Sequence, residues 1–158
     1  MFEIERKFLV KNDEIPKNYD SVHTLKQGYL FNTKEGVTRV RQFDNEFILT
    51  IKMQHEGIKQ IEIEKFLSEK EFNLLWSKID RKIEKTRYKI GKWEVDKFTN
   101  LTGRYKNLIL AEIELDTVDE FVEIPDWIDQ EVTGYSWAFN NNLADWCVGS
   151  KAFELFQY

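Results

Sequence analysis

The chain has 158 residues, 42% of them hydrophobic and 15% aromatic, enough for one domain with a real core and too few for two comfortable ones. Its single cysteine, Cys147, excludes a disulfide framework, and no apolar run is long enough to cross a bilayer as a helix. A net charge of −5 argues against nonspecific binding to nucleic acid or anionic lipid, and the N-terminus has no basic region followed by an apolar core; residues 1–158 are expected to form one cytoplasmic domain with neither nucleic acid nor membrane as partner.

The first ten residues, M-F-E-I-E-R-K-F-L-V, alternate with a period of two: Phe2, Ile4, Phe8 and Val10 on one face, Glu3, Glu5 and Lys7 on the other. In a strand these three charges stand in a row at intervals of roughly 6.6 Å, twice the rise per residue. After a polar segment with Pro16, His23 to Phe31 reads as a second strand in which Gly28 marks a bulge or a close approach. Residues 37–43 form a third strand with Arg39 and Arg41 on one face. A turn at Asp44-Asn45 joins it to a fourth, Phe47 to Met53, with Thr50 and Lys52. Another turn at His55-Glu56-Gly57 leads to a fifth strand, residues 58–64, carrying Glu62 and Glu64.

Ser68 with Glu71 three residues on is a capping box, and Phe72, Leu75, Trp76 and Ile79 follow at helical spacing, so an amphipathic helix is predicted there. Lys82 to Ile90 and Trp93 to Thr99 make a hairpin around Gly91-Lys92, with Lys85 and Arg87 on one arm and Glu94 and Asp96 on the other. The eighth strand, residues 108–115, carries Glu112 and Glu114. Thr117 with Glu120 predicts a short helix ending before Pro125. Asn140-Asn141-Asn142 precedes a predicted C-terminal helix with Leu143, Trp146, Cys147 and Phe153 on its inner side.

Seven of the eight strands therefore set charged or polar residues at i and i+2 on one face, eight acids and six bases in all, opposite a largely apolar face. Amphipathic helices need an apolar sheet surface to cover. The apolar faces are expected to turn outward and the charged faces to line a closed eight-stranded antiparallel β-barrel, in a mainly β, α+β fold with helices outside. Unpaired buried charge costs on the order of several kcal/mol per ion, so such an interior is wet and suited to a charged guest. Acids alone would suggest a metal and bases alone an anion; both together suggest a polyanion bound with a divalent cation, Mg²⁺ or Mn²⁺. Exposed strand faces with ordinary cross-strand ion pairs are the competing reading, and the same spacing on seven strands disfavours it. His23 and His55 read as surface residues and Cys147 as a small core residue.

These residues resemble the CYTH domain proteins, also called triphosphate tunnel metalloenzymes, whose hallmark is an N-terminal E-x-E-x-K strand, here Glu3-Ile4-Glu5-Arg6-Lys7. Gln27-Gly28-Tyr29-Leu30, Arg39-Val40-Arg41, Thr50-Ile51-Lys52, Glu62-Ile63-Glu64, Lys85-Thr86-Arg87, Glu94-Val95-Asp96 and Ala111-Glu112-Ile113-Glu114 follow the family pattern in order, over nearly the whole chain. One segment departs: ahead of Asn140-Asn141-Asn142-Leu143-Ala144, which resembles the family's N-x-N-L-A, Tyr135 and Trp137 stand where members often carry an acidic and then a basic residue. The resemblance implies a tunnel that binds a triphosphate moiety through Lys7, Arg39, Arg41, Lys52, Lys85 and Arg87. It implies a main metal site on Glu3, Glu5, Glu112 and Glu114, with Glu62, Glu64, Glu94 and Asp96 as further candidate ligands.

Among family activities, the short chain resembles the inorganic triphosphatases, which implies hydrolysis of tripolyphosphate to diphosphate and phosphate. Class IV adenylate cyclase, thiamine or nucleoside triphosphatase, and a non-catalytic polyphosphate-binding module are the alternatives; a homodimer is left open. Tyr29 lies on the strand without a charged pair, so its hydroxyl, hydrogen-bonded to Lys52 or Lys85, is the candidate for activating water, or else a tyrosine that only bonds a carboxylate.

Overall fold

The computed structural model describes residues 2–150. Its strands are β1 (Phe2–Val10), β2 (Ser21–Asn32), β3 (Gly36–Phe43), β4 (Glu46–Glu56), β5 (Lys59–Phe66), β6 (Lys82–Ile90), β7 (Trp93–Phe98), β8 (Ile109–Glu114) and β9 (Ile128–Glu131). Two α-helices accompany them, α1 (Glu69–Trp76) and α2 (Asn140–Leu143). The strands hydrogen-bond in the order β5-β4-β3-β2-β6-β7-β8-β1-β9, and β1 returns to β5 through Phe2↔Ile61, Glu3↔Gln60 and Ile4↔Lys59. That seam closes β1 to β8 into an antiparallel eight-stranded barrel. No helix among the described residues is long and apolar enough to cross a membrane.

The eight predicted strands are all present, and the three predicted hairpin turns carry positive φ at Asp44, Gly57 and Gly91. Two-residue hairpins need that backbone sign because only it matches the strand twist. The capping box is formed: Ser68 Oγ accepts from the Glu71 amide at 3.1 Å, and Glu71 Oε1 accepts from the Ser68 amide at 2.8 Å. α1 lays Phe72, Leu75 and Trp76 on the outer face of β3 and β4, against Val40, Phe47 and Leu49. Gly28 lies beneath this contact. A Cβ there would stand 2.7 Å from Ile79 Cδ1, so the glycine serves a close approach, and the bulge falls just beyond it, between Tyr29 and Phe31.

Three elements differ from expectation. Thr117 opens a turn rather than a helix, with the Asp116 amide donating to Glu120 Oε1 at 2.7 Å. From this segment Val122 and Trp127 pack on the barrel, a spacing of five that no helix face provides. β9 is an addition: four residues with one buried side chain, Ile128, too short to read by period. The C-terminal helix is a four-residue α2 followed by a 3-10 turn at Ala144–Trp146; Leu143 and Cys147 are buried as expected, and Phe153 lies outside the described residues. A run of three asparagines competes for its own backbone and sustains no longer helix.

The apolar strand faces do turn outward. Ile4, Phe8, Val95, Ala111 and Ile113 form a cluster covered by Leu115, Ile128 and Trp127, in irregular chain and β9 rather than under a helix. The barrel interior, however, is not charged throughout. Ile83, Phe98 and Leu110 are direct ladder partners of Gln27, Lys85 and Asp96, so they share the inward face, and they pack with Tyr29, Val132, Ala138, Leu143 and Ala144. The segment after β9 thus plugs one side of the barrel with apolar side chains.

Candidate active site

The strand register gathers the charges. Glu5 pairs with Glu114 and Lys7 with Glu112 across β1 and β8, Lys52 with Glu62 across β4 and β5, and Arg87 with Asp96 across β6 and β7. A cavity of about 350 Å³ is lined by Glu3, Glu5, Arg39, Arg41, Lys52, Glu62, Glu64, Lys85, Arg87, Glu94, Glu112 and Glu114. A second cavity of about 190 Å³ shares Glu5, Arg39 and Lys52 with it and adds Lys7 and Tyr29. Asp96 lines neither; it is buried in the wall.

Most of the cations already hold an anion. Lys52 Nζ is 2.8 Å from Glu3 Oε2 and 3.4 Å from Glu62 Oε2. Lys7 Nζ donates to the Ala138 carbonyl at 2.7 Å and stands 3.2 Å from Glu112. Asp96 takes Lys85 at 2.7 Å and a bidentate Arg87 at 2.8 and 2.9 Å, and Arg87 also pairs with Glu94. Burial pushes the Asp96 carboxyl up, but Lys85 and Arg87 together hold it well below the usual carboxylate range. In this structure Asp96 thus serves Lys85 and Arg87 as counter-ion, while the other acidic candidates line the cavity.

Arg39 and Arg41 are different. Both Nε atoms are buried without a hydrogen-bond partner among the described residues, and the ion pair of Arg41, to Glu64, is long at 3.8 Å. Burial, then Arg39, then Arg87 bring the Arg41 guanidinium down to about 10, the signature of cations crowded without enough negative charge. On the β1–β8 side the imbalance reverses. Burial and then Glu112 push Glu5 up to about 8, and Glu114 is raised by burial and by Glu3, Glu62, Glu5 and Glu94. Among the described residues no three His, Cys, Asp or Glu side chains form a finished metal cage. The oxygen donors and the mutual repulsion on this wall nevertheless suit a hard divalent cation, which would relieve the crowding.

Tyr29 is buried, and its hydroxyl accepts a 3.1 Å hydrogen bond from Gln27 Nε2, where a tunnel lysine was expected. Gln27 and Asn140 line the larger cavity and were missed. Gln27 shares the inward parity of Tyr29, so the period of β2 contained that signal; Asn140 sits on the turn of α2, where no period applies. In the departing segment Trp137 stacks on Tyr105, with centroids 5.7 Å apart, and Tyr135 is half exposed beside a third cavity that also contains Lys7.

An antiparallel barrel whose lumen carries crowded, under-paired guanidinium groups on one wall and crowded carboxylates on another is a tunnel suited to a polyanion. Comparison with known proteins gives the same class. The chain is 38% identical over 147 residues to an inorganic triphosphatase of Acetivibrio thermocellus, covering 89% of this chain and 92% of that one. The crystal structure of the inorganic triphosphatase NE1496 superposes with a TM-score of 0.63 at 34% identity, covering 90% and 93% of the two chains. A putative adenylate cyclase from Bacillus halodurans, at 18% identity, TM-score 0.56 and coverage of 73% and 81%, shares the fold alone. No family model matches the chain. On the strength of the Acetivibrio relative, the chain belongs to the CYTH, or triphosphate tunnel metalloenzyme, family.

Proposed function

We propose that the tunnel hydrolyses inorganic tripolyphosphate to diphosphate and phosphate with Mg²⁺ or Mn²⁺ as cofactor. The observation that carries this reading is the pair of buried guanidinium groups, Arg39 and Arg41, whose Nε donors have no partner among the described residues. A buried guanidinium donor left without an acceptor is costly, and a phosphoryl group would satisfy both Nε donors through charge-assisted hydrogen bonds, adding to the long Arg41–Glu64 pair. Lys7, Lys52, Lys85 and Arg87 would share the remaining phosphate oxygens. Glu3, Glu5, Glu112 and Glu114 would hold the metal, with Glu62, Glu64 and Glu94 beside them. Bound there, a divalent ion supplies charge neutralisation for the phosphoryl transfer.

In the reaction the oxygen of water bonds to the terminal phosphorus, the bridging P–O bond breaks, diphosphate leaves, and the proton of the water passes to a base. Against burial and Arg39, Glu5 and Glu3 keep Lys52 charged, which suits it to bind phosphate. Lys85 is an ammonium paired with Asp96 at rest, but burial brings it down to about 8, so it would release a proton near neutral pH and, as the amine, take the proton of the water. The hydroxyl of Tyr29 accepts from Gln27, which leaves its own O–H to orient the water.

Phosphate release from tripolyphosphate, ATP, GTP and thiamine triphosphate, each with Mg²⁺, Mn²⁺ and EDTA, tests the proposal. Release from tripolyphosphate with metal and none with EDTA is expected. Cyclic AMP from ATP would replace it with cyclase chemistry, and binding without release with a polyphosphate-binding module. Arg39→Ala should raise KM for tripolyphosphate at least about tenfold, since a hydrogen bond to a charged group contributes about 1.5–3 kcal/mol. The cytoplasmic setting belongs to this reading and agrees with a buried, free Cys147.

A further inference from the structure

Four residues line both cavities: Glu5, Arg39, Lys52 and Asn140. Asn140 alone among them is not on a strand; the turn of α2 carries it to the junction. Its side-chain orientation is fixed by chemistry. Lys85 Nζ lies 3.3 Å from Asn140 Oδ1, and an ammonium only donates, so the oxygen must face the lysine and the amide nitrogen must face away. Among the described residues Nδ2 makes no hydrogen bond, which leaves two N–H donors at the junction that Arg39 and Lys52 also line.

The turn is fastened from both sides. Arg81 Nε donates to Asp145 Oδ1 at 2.5 Å, Arg81 Nη2 donates to the Asn141 carbonyl, and Lys7 Nζ holds the Ala138 carbonyl at 2.7 Å. A side chain on so anchored a turn is placed before substrate arrives, and the ordering it would otherwise need on binding is already met.

We propose that Asn140 is a substrate-binding residue, its amide nitrogen donating to the middle phosphoryl group of a triphosphate whose ends lie in the two cavities. This rests on the triphosphatase reading. It adds a neutral donor at the point where a fully cationic lining would hold product as firmly as substrate.

Kinetics and calorimetry on Asn140→Ala and Asn140→Asp test it. Asn140→Asp keeps an oxygen for Lys85 and puts a carboxylate where the N–H groups were. Its KM and Kd for tripolyphosphate should rise at least tenfold, with kcat within about threefold of wild type; Asn140→Ala should raise both about three- to tenfold. The Asn140→Ala effect on Kd, read by calorimetry, should persist in a Lys85→Arg background, because the contact is made directly. Thermal melts of each variant confirm folding, and Asn140→Ser replaces any variant that does not fold. KM and Kd within twofold of wild type, or an effect that vanishes in the Lys85→Arg background, would overturn the assignment, the latter by showing that Asn140 acts only through Lys85. The two readings fail separately: a wild type that binds tripolyphosphate but releases no phosphate ends the triphosphatase reading, while calorimetry still reports on Asn140.

Discussion

Asp96 holds two cations on one carboxylate with almost no contact with water, and the barrel wall depends on that balance. Asp96→Asn removes the charge and leaves Lys85 and Arg87 buried without it, a loss of about 3–5 kcal/mol. Thermal melts of the variant should show it as a large drop in Tm. The wild-type contribution has a definite pH course. Because the folded carboxyl titrates below its unfolded value, the stabilisation is complete above about pH 4 and disappears as pH falls through the folded pKa. Urea titrations between pH 5 and pH 2 should therefore show wild type losing stability more steeply than Asp96→Asn. At this scale the sequence told which residues face inward, because strand parity is a local property of Glu3, Glu5, Arg39 or Lys52. It did not tell which partner each would meet. Asp96 was equally consistent with a metal and with Lys85, and Tyr29 with a lysine and with Gln27, since partner choice depends on register between strands far apart in the chain.

The strongest sequence signals for whole elements were those with a cap or a turn as well as a period. α1 has both, and its cap can be weighed: Ser68→Ala should cost about 1 kcal/mol and lower Tm by about 2–4 °C while leaving KM for tripolyphosphate unchanged, since the helix lies on the outer face. Gly28 makes a sharper prediction. Gly28→Val would drive a side chain into Ile79 and Trp76, and because Gly28 is the neighbour of Tyr29 and near Gln27, both Tm and kcat should fall. Calorimetric melting and steady-state kinetics on the same preparation would show whether the two losses occur together. β9 and the Thr117 turn were not legible because each is held by what it meets. Ile128 pairs with Val10, and Val122 and Trp127 reach the barrel from chain with no period of its own.

At the scale of the whole molecule, the repeated charged faces were enough to foresee a closed barrel with an ionic lumen. The neighbour relation of β2 and β6, which skips three strands, and the apolar layer of Ile83, Phe98 and Leu110 were not, because the first is a pairing about sixty residues apart in the chain and the second depends on the segment after β9 folding back onto the barrel. The barrel is held by its ladders and by apolar clusters on its outside, so it does not need the cation to stand. EDTA should abolish phosphate release while far-ultraviolet circular dichroism stays unchanged; loss of strand signal on chelation would show the metal to be structural. β1 has one further consequence. It borders β5 along Phe2, Glu3 and Ile4, β8 from Glu5 to Leu9, and β9 at Phe8 and Val10. On a ribosome it is the first of these strands to be made, yet its longest ladder waits for residues 109–114 and its outer one for residues 128–131. During synthesis the strand bearing Glu3, Glu5 and Lys7 is thus an open edge, and the tunnel cannot acquire its complete charge set until β8, with Glu112 and Glu114, has emerged.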